Sequence, residues 1–462
     1  MPRSAAVRSD RPEDRPEDRP MSPGPGPGPV VARPGSGPVT GLRGADRLLR
    51  FPGIRYGTAE RFARPVRAAR HRDTVDATRP GPICPQLPSL LEPVYGPQRD
   101  EPPHSEDCLF LAITTPDLTG TRPVMLWVHG GGYLTGGGTL PMFDGGRLAA
   151  DGDVVVVSVN YRLGALGFLA HEGVSDGNLG LYDQILALEW VSDHIAAFGG
   201  DPANITVFGQ SAGASSALVL ASVPRSRRLI RRVIAQSAPT LATLPTREEA
   251  FAAGPRFAEA AGGGDPRTLP VERILEAQAR TAQWNADPSA GTGAVPFRPA
   301  LTEPLGEPAT YERIFRSEPV PDLVIGYTSD EGRAFAVSAP SPVPEEAVAE
   351  LTRTLFTEPA HRTGRQLLDA GGAVFLYEFG WAPADGGFGA VHGVELPFLL
   401  GTEKAWAGSP VLGGTDWAGV EAGGRILRRS WAHFARYGSP GIDGFAWPRW
   451  TGDDTSVRLI GR

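Results

Sequence analysis

Lysine and cysteine are scarce in this sequence. Its 462 residues include one lysine, Lys404, and two cysteines, Cys84 and Cys108. A single lysine argues against Schiff-base and Ser-x-x-Lys chemistry, and no Gly-x-x-x-x-Gly-Lys loop for nucleotide phosphates is present. The two cysteines, taken alone, indicate only buried, reduced thiols, which are the default in a cytoplasmic chain.

The sequence also lacks an excess of positive charge and any long apolar run. Its formal net charge of −7 argues against a nucleic-acid partner. No apolar run approaches the roughly 18 residues of a membrane span, and the N-terminus lacks the apolar core of a secretory signal. Hydrophobic residues make up 41% and charged residues 21% of the chain, as in globular proteins with a sizeable core. These features predict a cytoplasmic protein without a membrane span.

The N-terminal segment differs in composition from the rest of the chain. Residues 1–29 contain a tandem Arg-Pro-Glu-Asp repeat at 11–18 and a Pro-Gly alternation at 23–29. Such a stretch cannot bury a core, so we expect it to be disordered. We expect residues 30–462 to form a single domain.

Strand-like and helix-like segments alternate through that domain. Predicted strands cover 124–129, 154–160, 204–208, 323–327 and 373–379, and predicted helices cover 181–195 and 213–222. Strand, glycine turn and helix repeated in this order predict an α/β fold with a large, mostly parallel, twisted sheet covered by helices on both faces. Ligands of such sheets bind beyond the carboxyl ends of the strands.

The pentapeptide Gly-x-Ser-x-Gly, which can present a nucleophilic serine on a strained turn, occurs twice. One copy is centred on Ser211 and the other on Ser175. A strand-like run leads into Ser211 and a run of small, helix-compatible residues follows it, which is the setting that the motif needs. Ser175 lies in a polar loop with no strand leading into it. We therefore expect Ser211 to be the nucleophile and Ser175 to be a turn serine.

Three consecutive glycines, residues 130–132, follow His129 at the end of the first predicted strand. Because glycine has no Cβ, a backbone there can turn its N–H groups toward a ligand. Such N–H groups stabilise the negative charge that develops on a carbonyl oxygen during acyl transfer. We expect the N–H groups of Gly131, Gly132 and Ala212 to form an oxyanion hole.

The base and the acid are expected to follow the nucleophile, since α/β-hydrolases carry serine, carboxylate and histidine in that order. The histidines after the nucleophile are His361, His392 and His433. The first and third lie in helix-like stretches, whereas His392 lies in a glycine-flanked loop after a predicted strand and is the expected base. Asp330 and Glu331 follow the 323–327 strand, and either carboxylate could orient the imidazole.

These residues, with several further segments, resemble the type-B carboxylesterases, the family of the cholinesterases and the bacterial para-nitrobenzyl esterases. The matching segments are Phe51–Ile54, Ser105–Leu109, His129–Gly132, Gly177–Gly213, Asp330–Gly332, His392–Gly393 and Trp431–Ala435. The resemblance extends from Val30 toward the C-terminus, and it implies the α/β-hydrolase fold and ester hydrolysis.

The resemblance also assigns roles to individual residues. It implies Glu331 as the acid, a disulfide between Cys84 and Cys108, an ion pair between Arg61 and Glu106, and a supporting serine, Ser237, near the acid. Gln210 departs from the family, whose members often carry glutamate before the nucleophile, and the change removes a negative charge. The segment from Glu331 to His392 is shorter than is usual, which implies a wider or less covered pocket. No tryptophan lies between the two cysteines, so a cation–π site for choline is not expected.

The sequence thus predicts a serine hydrolase that cleaves small-molecule carboxylic esters through Ser211, His392 and Glu331 and an acyl-enzyme intermediate. Neither a metal nor a cofactor is expected. The sequence does not indicate whether the protein is a monomer or an oligomer. Hydrolysis of amides, thioesters or lactones by the same triad is the first alternative. Non-catalytic binding of a partner by the same fold is the second.

Overall fold

The structure, a computed structural model, describes residues 26–239, 244–284, 296–306, 320–339, 341–385 and 387–461. Its strands are β1 (Gly28–Ala32), β2 (Val39–Arg43), β3 (Leu49–Arg55), β4 (Gly57–Thr58), β5 (Val66–Arg67), β6 (Val75–Asp76), β7 (Phe110–Thr115), β8 (Arg122–Val128), β9 (Val155–Val159), β10 (Ala170–His171), β11 (Ser175–Asp176), β12 (Gly200–Gln210), β13 (Arg232–Gln236), β14 (Asp322–Thr328), β15 (Val374–Phe379) and β16 (Arg458–Ile460).

The helices of these segments surround the strands. They are α1 (Glu92–Tyr95), α2 (Gly146–Gly152), α3 (Gly164–Phe168), α4 (Leu179–His194), α5 (Ala212–Leu220), α6 (Pro224–Arg227), α7 (Arg247–Ala260), α8 (Val271–Trp284), α9 (Glu331–Val337), α10 (Glu345–Thr352), α11 (Glu358–Asp369), α12 (Leu396–Leu399), α13 (Glu403–Trp406) and α14 (Trp417–Tyr437). Short 3-10 segments cover Pro141–Phe143, Ile195–Phe198, Pro410–Leu412 and Asp454–Ser456, and a π-helical turn covers Arg353–Thr357.

One twelve-stranded sheet carries most of the strands, in the order β1-β2-β3-β7-β9-β8-β12-β13-β14-β15-β16, with β6 beside β2. From β9 to β16 every neighbouring pair is parallel. The pairs from β1 to β9 are antiparallel. The predicted α/β fold with a large, mostly parallel sheet is therefore confirmed.

Both faces of the sheet are buried, as the alternation of side chains along β8 shows. Leu126 and Val128 belong to one buried apolar cluster, which includes residues of α4 and α5. Met125 and Trp127 belong to a second cluster, which includes Trp431 of α14 and other residues of that helix. Since neighbouring side chains of a strand point to opposite faces, the two clusters lie on opposite sides of the sheet. The predicted helices on both faces are present.

The apolar patterns located the elements to within a few residues. The valine-rich strand β9 is buried along its whole length, as expected for a parallel strand covered on both faces. Helix α4 is buried from Leu179 through Val191, so its apolar residues surround the helix instead of forming one stripe. At the N-terminus, Gly28 and Pro29 pair with β2, so the described fold begins two residues before the predicted boundary at Val30. The predicted disordered repeat at 11–18 lies outside the described residues.

Five parallel strands end at one edge of the sheet. His129 follows β8, Ser211 follows β12 and Ser237 follows β13, while α9 begins shortly after β14 and the loop that carries His392 follows β15. Because parallel strands share their direction, these carboxyl ends lie side by side. The fold thereby gathers the predicted functional residues at this edge.

Candidate active site

Ser211 lies on a strained turn between β12 and α5. Its φ of 57° and ψ of −127° fall where residues other than glycine are uncommon. The N–H group of Ser211 donates to the carbonyl of Gln236 at 2.9 Å, which ties the turn to the end of β13. The side chain is half-buried, whereas the helix that follows is fully buried. The turn thus holds the hydroxyl apart from the helix, in the strand–turn–helix setting predicted from the sequence.

The glycines on either side of Ser211 allow this turn to form. A Cβ on Gly213 would lie 2.0 Å from the carbonyl oxygen of Val128, and a Cβ on Gly209 would lie 2.5 Å from the carbonyl carbon of Gly213. Real Cβ atoms do not approach other atoms so closely, so both positions require glycine. The close contact places the start of α5 directly against the end of β8.

The glycine run after β8 has the backbone that an oxyanion hole needs. Gly131 has a φ of +106° and Gly132 a φ of +63°. A Cβ on Gly130 would lie 3.2 Å from the Cβ of Ser211, so this loop borders the serine directly. Within the described residues no acceptor takes up the N–H groups of Gly131, Gly132 or Ala212. Ala212 also begins α5, whose N-terminus carries a partial positive charge.

His129 anchors the start of this loop with a buried, neutral imidazole. Its ring is fully buried and stacks on Tyr161, with ring centroids 4.4 Å apart. Burial lowers the pKa of His129 to about 4, so its imidazole is neutral at physiological pH. Its Nδ1 lies 2.8 Å from the carbonyl oxygen of Gly130, which fixes the direction in which the chain enters the glycine run.

His392 and Glu331 form a buried pair. The Nδ1 atom of His392 and the Oε2 atom of Glu331 are hydrogen-bonded, and neither side chain is more than 1% exposed. The other oxygen of Glu331 accepts from the N–H group of Thr328 at 2.8 Å, which fixes the orientation of the carboxylate. A carboxylate held in this way keeps the proton on Nδ1 and leaves Nε2 as the acceptor.

Asp330, the other carboxylate that the sequence allowed, has a different partner. Its Oδ2 atom accepts from the N–H group of Ala390 at 2.9 Å, and its backbone bridges to Val391. Asp330 therefore fastens the loop that carries His392, and Glu331 contacts the imidazole. The neighbouring residues that follow β14 thus have separate tasks.

Aromatic side chains enclose the imidazole of His392. The rings of Phe335 and Phe356 lie 5.2 and 4.9 Å from it, measured between centroids. The hydroxyl of Tyr95 donates to the backbone carbonyl of His392 at 2.6 Å. The short segment between Glu331 and His392 therefore leaves the histidine covered, and the wider or less covered substrate pocket stays a prediction.

The Nε2 atom of His392 faces Gln210. It lies 3.0 Å from Nε2 of Gln210, which is 4% exposed. Within the described residues no hydrogen bond joins the hydroxyl of Ser211 to the imidazole. Such bonds are often long in enzymes without substrate and tighten in the complex.

Sequence reasoning missed one buried carboxyl group, that of Glu395. One of its oxygens accepts from Nε2 of Gln236 at 3.1 Å, and the other is buried without a hydrogen-bond partner among the described residues. Burial, with the nearby charge of Glu331, raises the pKa of Glu395 to about 7. The signal that could have revealed it is a glutamate inside the apolar segment 394–400.

The ion pair and the disulfide that the resemblance predicted differ in how they compare with the structure. The ion pair between Arg61 and Glu106 is confirmed, with Nε of the arginine 2.7 Å from the carboxylate. Cys84 and Cys108 are buried free thiols in the structure and are hydrogen-bonded to each other, so the disulfide stays a prediction. The sulfur of Cys84 also accepts from the N–H group of Leu163 at 3.3 Å.

Ser237 follows β13 with a φ of 51°, and its hydroxyl is buried without a partner among the described residues. The structure shows no hydrogen bond between it and Glu331 in this part of the chain, so its supporting role stays a prediction.

The rejected candidates lie elsewhere. His361 is in α11 and His433 is in α14, as the helix-like patterns predicted. Ser175 lies in β11, which pairs with β10 in a small hairpin, so the expected loop contains a short strand. Its hydroxyl accepts from the N–H group of Gly177 at 3.1 Å. Ser175 is thus a turn serine outside the central sheet.

A parallel sheet with a serine elbow at the carboxyl end of a central strand defines the α/β-hydrolase class. Residues 29–350 match the family described as the carboxylesterase family. The chain belongs to this family, as the resemblance predicted.

Named relatives agree with this assignment. The chain is 39% identical over 417 residues to a probable N-octanoylanthranilate hydrolase of Rhodococcus erythropolis, covering 86% of this chain and 90% of the relative. It is 33% identical over 444 residues to the para-nitrobenzyl esterase of Bacillus subtilis (strain 168), covering 87% of each. The solved structure of a thermophilic PNB esterase superposes with a TM-score of 0.81 at 29% identity, covering 93% of this chain and 95% of that one.

The protein is a carboxylic-ester hydrolase, and the prediction of an enzyme is confirmed, which removes the non-catalytic alternative. Esterases of this family act on small-molecule esters. Among the helices of the described segments, none has the length and apolar character required to cross a bilayer. The predicted cytoplasmic location stays a prediction.

Proposed function

We propose that this esterase works through an acyl-enzyme, with Ser211 as nucleophile, His392 as base and Glu331 as the carboxylate that orients the base. The buried hydrogen bond between Glu331 and His392, next to a serine on a strained turn, is the observation that carries the proposal. The carboxylate favours the tautomer in which Nε2 can accept the proton of the serine hydroxyl.

In the first half-reaction, Oγ of Ser211 bonds to the carbonyl carbon of the ester while its proton passes to Nε2 of His392. The N–H groups of Gly131, Gly132 and Ala212 stabilise the oxyanion, since they have no acceptor within the described chain. The imidazolium then protonates the leaving alcohol as the bond between carbon and oxygen breaks. The acyl group stays on the serine.

In the second half-reaction, water attacks the acyl carbon and gives one proton to His392. Collapse of the second tetrahedral intermediate releases the carboxylic acid, and the proton returns to Oγ of Ser211. Glu331 stabilises the imidazolium in both steps. The rings of Phe335 and Phe356 pack on the imidazole and exclude water there, which strengthens the interaction between Glu331 and His392.

Partition of the acyl group tests the intermediate. Two esters with the same acyl group, such as phenyl and 4-nitrophenyl butyrate, are hydrolysed in the presence of methanol. A common acyl-enzyme predicts the same ratio of methyl butyrate to butyric acid from both esters, because the leaving group has already departed. Ratios that depend on the leaving group would show that water attacks the ester directly.

Amide hydrolysis is a second candidate, because one relative is named as a hydrolase of an N-acyl compound, N-octanoylanthranilate. The same residues would serve, with His392 protonating an amine instead of an alcohol. Octanoyl anilide, N-octanoylanthranilate and phenyl octanoate, compared by kcat/KM, separate the two activities. Amide turnover that exceeds ester turnover would make the chain primarily an amidase.

A further inference from the structure

Gln210, the last residue of β12, lies directly before Ser211 and between two loops. A Cβ on Gly130 would lie 3.0 Å from its Oε1 atom, and a Cβ on Gly393 would lie 3.3 Å from its Nε2 atom. Its side chain is therefore held between the glycine run after β8 and the loop of His392. Because both neighbours are glycines, the amide fits within reach of the imidazole.

The contact between Gln210 and His392 has a defined polarity. An amide nitrogen donates and does not accept, so the Nε2 atom of His392, 3.0 Å away, is the acceptor. The proton of the neutral ring is then on Nδ1, where Glu331 accepts it. An imidazolium would carry a proton on both nitrogens and would point one of them at the amide N–H, which is unfavourable.

We propose that Gln210 is a positioning residue that keeps the imidazole of His392 in its unprotonated, basic form by donating a hydrogen bond to Nε2 and by placing no charge there. This inference rests on the proposed function, since it takes His392 as the base. When substrate is bound, the hydroxyl of Ser211 replaces the amide as the donor to Nε2.

The carboxyl groups around His392 favour the imidazolium, so the effect of Gln210 opposes theirs. Glu331 contacts Nδ1 directly, and Glu395 lies close enough that the charge on His392 affects its pKa. The phenol of Tyr95 is neutral, because burial raises its pKa well above the ordinary value. Of these groups, the carboxylate of Glu331 contacts the ring, at Nδ1, and Glu395 adds negative charge nearby only as it ionises. A further carboxylate at position 210 would stabilise the imidazolium from the Nε2 side as well.

The experiment compares the pH dependence of kcat/KM for the wild type, Gln210→Glu and Gln210→Met. The glutamate variant should move the acidic limb about one pH unit or more toward higher pH, since a carboxylate within about 4 Å raises the pKa of an imidazole by this amount. At a pH below the limb, kcat/KM should then fall about tenfold relative to the wild type, because it follows the unprotonated fraction of the base. The methionine variant, which lacks donor and charge, should move the limb in the same direction by less than half as much.

Gln98→Glu is the matched control, since it adds the same charge at an exposed position of the loop between Cys84 and Cys108. It should leave the limb unchanged, because exposed charges are screened by solvent and salt. The rate of labelling of Ser211 by a fluorophosphonate, followed against pH, gives the same limb without ester turnover.

An unchanged limb in Gln210→Glu would overturn the inference, as would a shift toward lower pH in Gln210→Met. A purely structural role would instead lower melting temperature and kcat at every pH without moving the limb. Each of these results leaves the proposed function intact as long as Ser211→Ala is inactive. Full activity of Ser211→Ala would refute the proposed function itself.

Discussion

The two Gly-x-Ser-x-Gly pentapeptides share a pattern and differ in their surroundings. Ser211 has a strained backbone and follows a central strand of the main sheet, whereas Ser175 lies in a two-stranded hairpin outside that sheet. The hydroxyl of Ser175 accepts from the N–H group of its own turn. Within the described residues no hydrogen bond occupies the hydroxyl of Ser211. The comparison teaches that a place at the carboxyl edge of a parallel sheet, more than the pentapeptide itself, predicts which serine is the nucleophile.

The most direct way to break this comparison is to remove each hydroxyl in turn. Ser211→Ala should lower kcat by about a millionfold, because a triad that acts as a unit loses nearly everything with its nucleophile. Ser175→Ala should keep kcat/KM within about twofold, since Ser175 lies in a hairpin outside the central sheet and its hydroxyl accepts from its own turn. Steady-state hydrolysis of 4-nitrophenyl esters measures both variants. Comparable losses in the two would remove the distinction between the serines.

The acid offers a second contrast, between neighbouring carboxylates that follow β14. Glu331→Gln should lower kcat by about a thousandfold to ten-thousandfold, because an amide cannot stabilise the imidazolium and disturbs the tautomer of His392. Asp330→Asn should cost less than about tenfold, since its side-chain oxygen can still accept from Ala390. The same ester assay measures both, with circular dichroism as the check on folding. A larger loss in the aspartate variant would reverse the assignment.

Replacement of a glycine by alanine should lower the free energy of unfolding by different amounts in the two pentapeptides. Gly213→Ala should lower the free energy of unfolding by about 3 kcal/mol or more, because its Cβ would clash with the carbonyl of Val128. Gly173→Ala should cost about 1 kcal/mol, since its φ of +72° is strained for alanine but the space is open. Urea unfolding measures both. Equal losses would show that the packing of α5 against β8 does not restrict the first pentapeptide.

Glu395, which lies near the pair of His392 and Glu331, carries a cost in stability that depends on pH. Its pKa is about 7 in the fold against an ordinary value of 4.5. Between these values the folded state holds a proton that the unfolded chain has released, so stability falls as pH rises through this window. Glu395→Gln cannot ionise, and its gain over the wild type should grow across the window to at most about 3 kcal/mol above pH 7.

Unfolding free energies of the wild type and Glu395→Gln at pH 5 and pH 8 measure this effect. The gain should be larger at pH 8. A gain that is equal at the two pH values would show that the carboxyl group of Glu395 is already ionised in the fold at pH 5, as it is in the unfolded chain.

Most of the fold could be predicted because it follows from local patterns. The valine run of β9 and the small residues after Ser211 specify a buried strand and a closely packed helix in almost any context. The order of strands in the sheet is a non-local property, and the residues alone did not reveal it. The predicted single domain from residue 30 onward stays a prediction.

The site was harder to predict, for physical reasons that particular residues illustrate. Asp330 and Glu331 are neighbours in one turn, and only the direction of each side chain separates their tasks. The burial of His392 depends on Phe335 and Phe356, which come from elements whose approach no local pattern encodes. The disulfide was inferred from a resemblance and stays a prediction, because spacing carries no information on whether two thiols are oxidised.

The measurement that tests the account most directly is the site of fluorophosphonate modification. The active protein is inactivated by the probe, digested and mapped by mass spectrometry, with Ser175→Ala as a parallel sample. We predict one adduct per chain, on the peptide that carries Ser211, formed equally in both samples. An adduct on Ser175 or on any other residue, with Ser211 unmodified in the inactivated enzyme, would contradict the account.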